Sequence, residues 1–137
     1  MSARSNCVMQ TMAKTERGGE RRRREQAGRR AETAAALWLQ LKGYRILDRR
    51  AQMPACEIDL VARKGRFVVF VEVKSRRSLA QALEAVTPQL RSRLEQAANQ
   101  WVSRRRGLQA ALWRFDVVLL APGRLPKHMR DAWRAEN

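Results

Sequence analysis

Apolar positions recur along this chain with two different periods, and the switches between them mark the elements. From Phe67 to Lys74 the period is two: Phe67, Val69, Val71 and Val73 alternate with Val68, Phe70, Glu72 and Lys74. Side chains alternate across a strand, so Glu72 and Lys74 share a face. Just upstream, Ile58, Leu60 and Ala62 alternate with Glu57, Asp59 and Val61. The two runs, with Gly65 between them, predict a hairpin. Its loop length decides where Asp59 points. A four-residue loop, Arg63 to Arg66, sets Ala62 opposite Phe67 and brings Asp59 onto the face of Glu72. A three-residue loop, Arg63 to Gly65, leaves Asp59 on the other face, because a slip of one residue turns every side chain over. A shared site therefore predicts the four-residue loop, or an equivalent bulge.

Helical spacing governs the flanks. Ala31 to Lys42 reads as a helix closed by Gly43. Ala34, Leu37, Trp38 and Leu41 form one stripe on it, and Glu32, Ala35, Ala36 and Leu39 a second. Two apolar stripes predict burial on both faces. Glu32 is either a first-turn acid favoured by the helix dipole or a carboxylate aimed inward. Tyr44 to Leu47 reads as a short strand, followed by a basic loop from Asp48 to Ala55. Ser75 to Val86 reads as a loop or irregular helix. Thr87 as N-cap and Pro88 as first helical residue open a helix that runs to Arg106. Leu90, Leu94, Ala97, Ala98, Trp101 and Val102 are its predicted buried stripe, and Arg104 to Arg106 suit the dipole at its C-terminus. Leu112 to Leu120 is a strand apolar enough for an interior place in a sheet. Asp116 reads as a structural or capping acid, with a site acid as the alternative. His128, in the closing segment His128 to Trp133, reads as a packing or surface residue.

Residues 1–27 show no apolar period and read as a disordered basic tail, leaving 28–137 as the domain. Met9 and Met12 offer alternative starts. The expected fold class is α/β, a mixed central sheet flanked by the Ala31–Lys42 and Pro88–Arg106 helices.

Charge adds the first functional hint. The chain carries 29 basic and 13 acidic residues, a formal net charge of +16. Residues 1–30 hold nine basic and three acidic residues, so the remaining 20 basic and 10 acidic residues leave the folded part at +10. Such a surface attracts polyanions, with nucleic acid first among them. Candidate phosphate contacts are Arg29, Arg30, Arg76, Arg77 and Arg91. A solvated, solubilising surface is the competing reading. No apolar run approaches the ~18 residues of a membrane span, and the first residues lack the apolar core of a signal peptide. The two cysteines, Cys7 and Cys56, suggest no disulfide framework, so a reducing cytoplasm fits.

Against that basic background the carboxylates of the hairpin stand out. Like charges on neighbouring strands raise each other's pKa, and a hard divalent cation removes the conflict. Oxygen ligands suit Mg²⁺ or Mn²⁺, which stabilise negative charge during phosphodiester hydrolysis. Lys74 is placed to hold an attacking water or the developing charge. Glu-x-Lys alone is common and carries little; an acid thirteen residues upstream across a hairpin strengthens it. The chain has no P-loop, no CxxC and no HExxH.

The segments GRRAETAAALWLQLKGYRIL, EIDLVA, FVEVKSR, VTP and RFDVV occur in that order. In this the chain resembles the YraN family, bacterial proteins read as endonucleases, over about residues 28–133. The resemblance implies a restriction-endonuclease-like fold and the PD-(D/E)xK nuclease site, similar to archaeal Holliday-junction resolvases. By that likeness Asp59 and Glu72 are metal ligands and Lys74 the lysine of the site. Glu32 matches the helical acid that such resolvases place near the metal, and Glu57 drops to a supporting role. The implied activity is Mg²⁺- or Mn²⁺-dependent cleavage of DNA, branched or otherwise structured. A nucleic-acid-binding module with weak or no catalysis is the alternative. Resolvase analogy also suggests a homodimer. The chain departs from the family pattern at Cys56, where Gly is usual before the acid of EIDL. It departs again at Gln89-Leu90, in place of a basic pair after VTP, and at Asp131, where Asn is common.

Overall fold

The computed structural model describes residues 3–108 and 110–135, with side chains from residue 17 onward. The side chains of Cys7, Met9 and Met12 lie outside the described residues. The elements are α1 (Ala3–Leu41), β1 (Arg45–Gln52), β2 (Glu57–Lys64), β3 (Phe67–Ser75), α2 (Leu79–Glu84), α3 (Pro88–Ser103), β4 (Leu112–Leu120) and β5 (Lys127–Trp133). The chain divides into two compact units, Met1–Arg30 and Ala31–Asn137.

In the first unit α1 is helical from Ala3. Arg, Glu, Gln and Ala are good helix formers. Exposed pairs four residues apart, Arg21–Glu25 at 3.3 Å and Glu20–Arg24 at 4.0 Å, add a little. No apolar stripe accompanies that propensity, so hydrophobic periodicity is silent where the helix nonetheless forms.

In the second unit α1 ends as expected. Gly43 adopts φ +89°, and the amides of Gly43 and Tyr44 donate to the carbonyls of Gln40 and Leu39, each at 3.0 Å. These two bonds form a Schellman cap, which needs the left-handed backbone that glycine supplies. Only one of the two stripes is buried. Ala35, Ala36 and Leu39 pack against Leu60, Ala62, Val69, Val71, Val73 and Val118. The other stripe faces outward, with Leu37 57% and Leu41 82% exposed, so burial on both faces is wrong. A helix lying on a sheet has one sheet to bury against.

The sheet is mixed, in the order β1-β2-β3-β4-β5. Its pairs are antiparallel except for parallel β3–β4. The connection from β3 to β4 runs through α2 and α3, as a parallel pair requires. Thr87 caps α3, its hydroxyl accepting from the Leu90 amide at 3.2 Å, with Pro88 in the first turn. Ala97, Ala98, Trp101 and Val102 meet Val61, Val68, Phe70 and Phe115 on the face opposite α1. Helix α3 stops at Ser103, three residues short of the expected Arg106. Arg105 instead crosses to Asp48 at 3.0 Å and lies 3.7 Å over the Trp101 ring. The basic loop expected after Leu47 is largely strand, since β1 continues to Gln52.

Asp116 is structural. It is fully buried, and the Arg114 guanidinium donates to both of its oxygens at 2.8 Å. His128 lies 2.7 Å away, and the Asp131 amide donates to it at 2.9 Å, which ties β5 to β4. These partners hold the Asp116 carboxyl below its ordinary range despite burial. Removing the acid leaves Arg114 and His128 facing a buried gap. Asp116→Ala is expected to destabilise the protein by about 3–5 kcal/mol, read as a lowered urea midpoint.

Candidate active site

The hairpin turn has two residues, Gly65 and Arg66, because Lys64 pairs with Phe67. Gly65 takes φ +58° at the first turn position, as a tight II′ turn requires. Neither the three-residue nor the four-residue loop is present. The observed register nevertheless has the parity of the four-residue loop: Ala62 pairs with Val69 and Leu60 with Val71. Asp59 and Glu72 are the next positions on each strand and share a face. Paired register ends at Leu60–Val71, so β2 and β3 part where the acids begin. The Val73 amide there donates to Asp59 Oδ2 at 2.9 Å, so the side chain serves as acceptor in place of a strand carbonyl.

Glu72 is buried and lies against Asp59. Lys74, two residues on, places Nζ 3.3 Å from Glu72 Oε1. The three residues expected at the centre, Asp59, Glu72 and Lys74, are therefore together. Glu32 is 7% exposed and projects from α1 toward them. Carboxylate oxygens of Glu32, Glu57 and Asp59 lie within 4.8 Å of one another. Glu57 thus belongs to the cluster rather than beside it.

Two basic residues of this region carry no signal in the sequence. Arg50 Nε lies 3.3 Å from Glu32 and 3.4 Å from Glu57. It sits on β1 between the pairs Arg49–Leu60 and Ala51–Ile58, across from Asp59. A run that reads as a loop has no face, so no periodicity places it. Arg93 on α3 is close enough for its charge to be felt at Cys56, which also feels Glu72 and Asp59. Arg91, a candidate phosphate contact, lies 5.5 Å over the Trp133 ring and lines a cavity of about 460 Å³ with Ser92, Glu95 and Arg134. Arg76 and Arg77 are exposed just beyond Lys74. Arg29 and Arg30 are exposed residues of the Met1–Arg30 unit.

Burial and mutual repulsion dominate the electrostatics. Glu72 is pushed up to about 8 by burial and then by the Asp59 charge, against the pull of Lys74. Burial also raises Asp59, while the Val73 amide and Lys74 oppose it. Glu32 is raised by burial and by Asp59, with Arg50 opposing. Burial and mutual repulsion thus favour a shared proton on the Asp59–Glu72 pair.

A mixed five-stranded sheet between helices, with Asp59, Glu72 and Lys74 where β2 and β3 part, is a restriction-endonuclease-like α/β arrangement. The chain belongs to the uncharacterised protein family UPF0102, which matches residues 31–120 and is the YraN family of the sequence resemblance. It is 50% identical over 113 residues to UPF0102 protein Mmar10_3014 of Maricaulis maris, covering 82% of this chain and 89% of that protein. A UPF0102 protein of Caulobacter vibrioides is 51% identical over 106 residues, 77% of this chain and 85% of the relative. UPF0102 protein amb4503 of Paramagnetospirillum magneticum is 51% identical over 116 residues, 82% and 90% of the two chains. Among the described residues no helix is long and apolar enough to cross a membrane.

The raised Glu72 pKa has a definite sign for stability. The folded protein binds a proton that the unfolded chain has released, so stability falls as pH rises from about 4.5 through about 8. In EDTA the melting temperature should decline across that window. Glu72→Gln should flatten the decline and melt higher than the parent at pH 8. An unchanged slope would mean that Glu72 does not carry the proton.

Proposed function

We propose that the protein is a metal-dependent endonuclease acting on DNA. The observation that supports this best is the convergence of Asp59, Glu72 and Lys74 at the parting of two strands, with Glu32 reaching the same point from α1. The donor set fits a hard divalent cation: every candidate ligand is a carboxylate oxygen, and buried Glu32 Oε2 has no hydrogen-bond partner. Glu32, Glu57 and Asp59 would hold Mg²⁺ or Mn²⁺, with Glu72 against Asp59 as a further carboxylate. The ion would supply positive charge to the scissile phosphate and lower the pKa of water near it.

The chain's own residues do the rest. The Val73 amide holds Asp59 Oδ2 in place, and Glu72 lies against the same carboxyl. Lys74 is held by Glu72 and remains 23% exposed, so its ammonium can meet a phosphate oxygen or an attacking water. Arg76, Arg77 and Arg93 add positive charge around the carboxylates, where the backbone of a nucleic acid would pass. The likeness to resolvases makes branched or structured DNA the substrate to try first. A second reading, a binding module with little catalysis, is favoured by one feature: Arg50 already neutralises part of the cluster.

The test uses purified full chain with labelled duplex, single-stranded and four-way DNA in Mg²⁺, Mn²⁺ or EDTA. Cleavage should require metal and fall by at least about 10²-fold in Asp59→Ala and Lys74→Ala, the size of loss seen when one transition-state contact is removed. Salt-sensitive binding without cleavage, unchanged in both variants, would support the binding module instead.

A further inference from the structure

Two arginine–carboxylate contacts in this protein are built very differently. Arg114 grips Asp116 with Nε and Nη2, one to each oxygen, both at 2.8 Å. That is the planar two-point fit that guanidinium and carboxylate favour. Arg50 does not do this. Its Nε lies 3.3 Å from Glu32 and 3.4 Å from Glu57, shared between the two acids. Neither Arg50 Nε nor Glu32 Oε2 is aligned for a hydrogen bond, although both atoms are buried. Arg50 also takes φ +52°, a left-handed backbone that few non-glycine residues adopt. Its side chain is 36% exposed, which leaves it a way out to solvent.

These features describe a charge held in place without being bonded into place. Resting on the metal-dependent reading above, we propose that Arg50 is the built-in counter-cation of the carboxylate cluster. It is a positioning residue that keeps Glu32 and Glu57 together and competes with a divalent metal for them. A metal entering beside Asp59 displaces the guanidinium toward solvent, and the loose contact keeps that exchange reversible. Arg50 thereby sets how much free metal the site needs, and it protects the cluster from the repulsion of its own acids when metal is scarce.

The probe is Mn²⁺, titrated calorimetrically into the metal-stripped full chain at fixed pH and salt. Asn tolerates the left-handed backbone, so Arg50→Asn removes the charge without threatening the strand. Its Kd for Mn²⁺ should fall on the order of tenfold below the parent value. The control is Arg49→Asn. Arg49 carries the same charge one residue away but donates to Thr33 Oγ1 at 2.9 Å. That variant should stay within about threefold, as a screened, non-contacting charge would. Parent-like or weaker Mn²⁺ binding by Arg50→Asn, with the parent binding normally, overturns the inference. So does an equal gain in Arg49→Asn, which would make the effect one of overall charge. No binding by either the parent or Arg50→Asn, or binding that survives Asp59→Asn, overturns the metal-site reading itself.

Discussion

One hydrogen bond joins the fold to the site: Val73 N–H to the Asp59 carboxylate. Strands β2 and β3 stop pairing after Leu60–Val71. A buried amide beyond that point needs an acceptor, and leaving it without one costs roughly 1–3 kcal/mol. Asp59 meets the need with a side chain, which lets the strands separate while the ladder stays satisfied. Asp59 thereby stands where Glu32 and Glu57 meet it and where Glu72 lies against it. The carboxylate that carries the proposed chemistry is thus also a piece of the sheet.

Gathering acids in a half-buried place has an electrostatic cost, and the protein meets it in three ways. Burial beside Asp59 raises the Glu72 carboxyl, which favours its neutral form. Lys74 sits 3.3 Å from the same carboxyl. Arg50 is shared between Glu32 and Glu57. None of these is a close-fitting ion pair. Asp116 shows what a close fit looks like in the same sheet: full burial, a two-point arginine, a histidine and a backbone amide. The contrast separates an acid committed to structure from acids left with unmet capacity. Unmet acceptor capacity on carboxylates is what a cation site requires.

Features that depend on a few neighbouring residues are legible in the sequence. Thr87, Pro88 and Gly43 stand at their caps for that reason. Period two identifies β2, β3 and β4, and so puts Glu72 and Lys74 on one face. The part of α1 upstream of residue 31 escapes these rules, because its helix-forming residues carry no apolar stripe. The outer face of α1 misleads in the opposite direction: an apolar stripe there does not say how many partners the helix has.

Residue order alone identifies β2, β3, β4, the helix caps and the family, and it singles out Asp59, Glu72 and Lys74 as the candidates for the centre. Alternation and capping are local, and the motifs stand in a fixed order. Tertiary structure was needed to decide that Asp59 meets Glu72, through a two-residue turn that no pattern specifies. It also decided that Glu57 and Arg50 belong with Glu32, residues brought together where a helix packs on the two strands that follow it. Which charges neighbour one another is set by packing and register, and neither can be read from residue types alone.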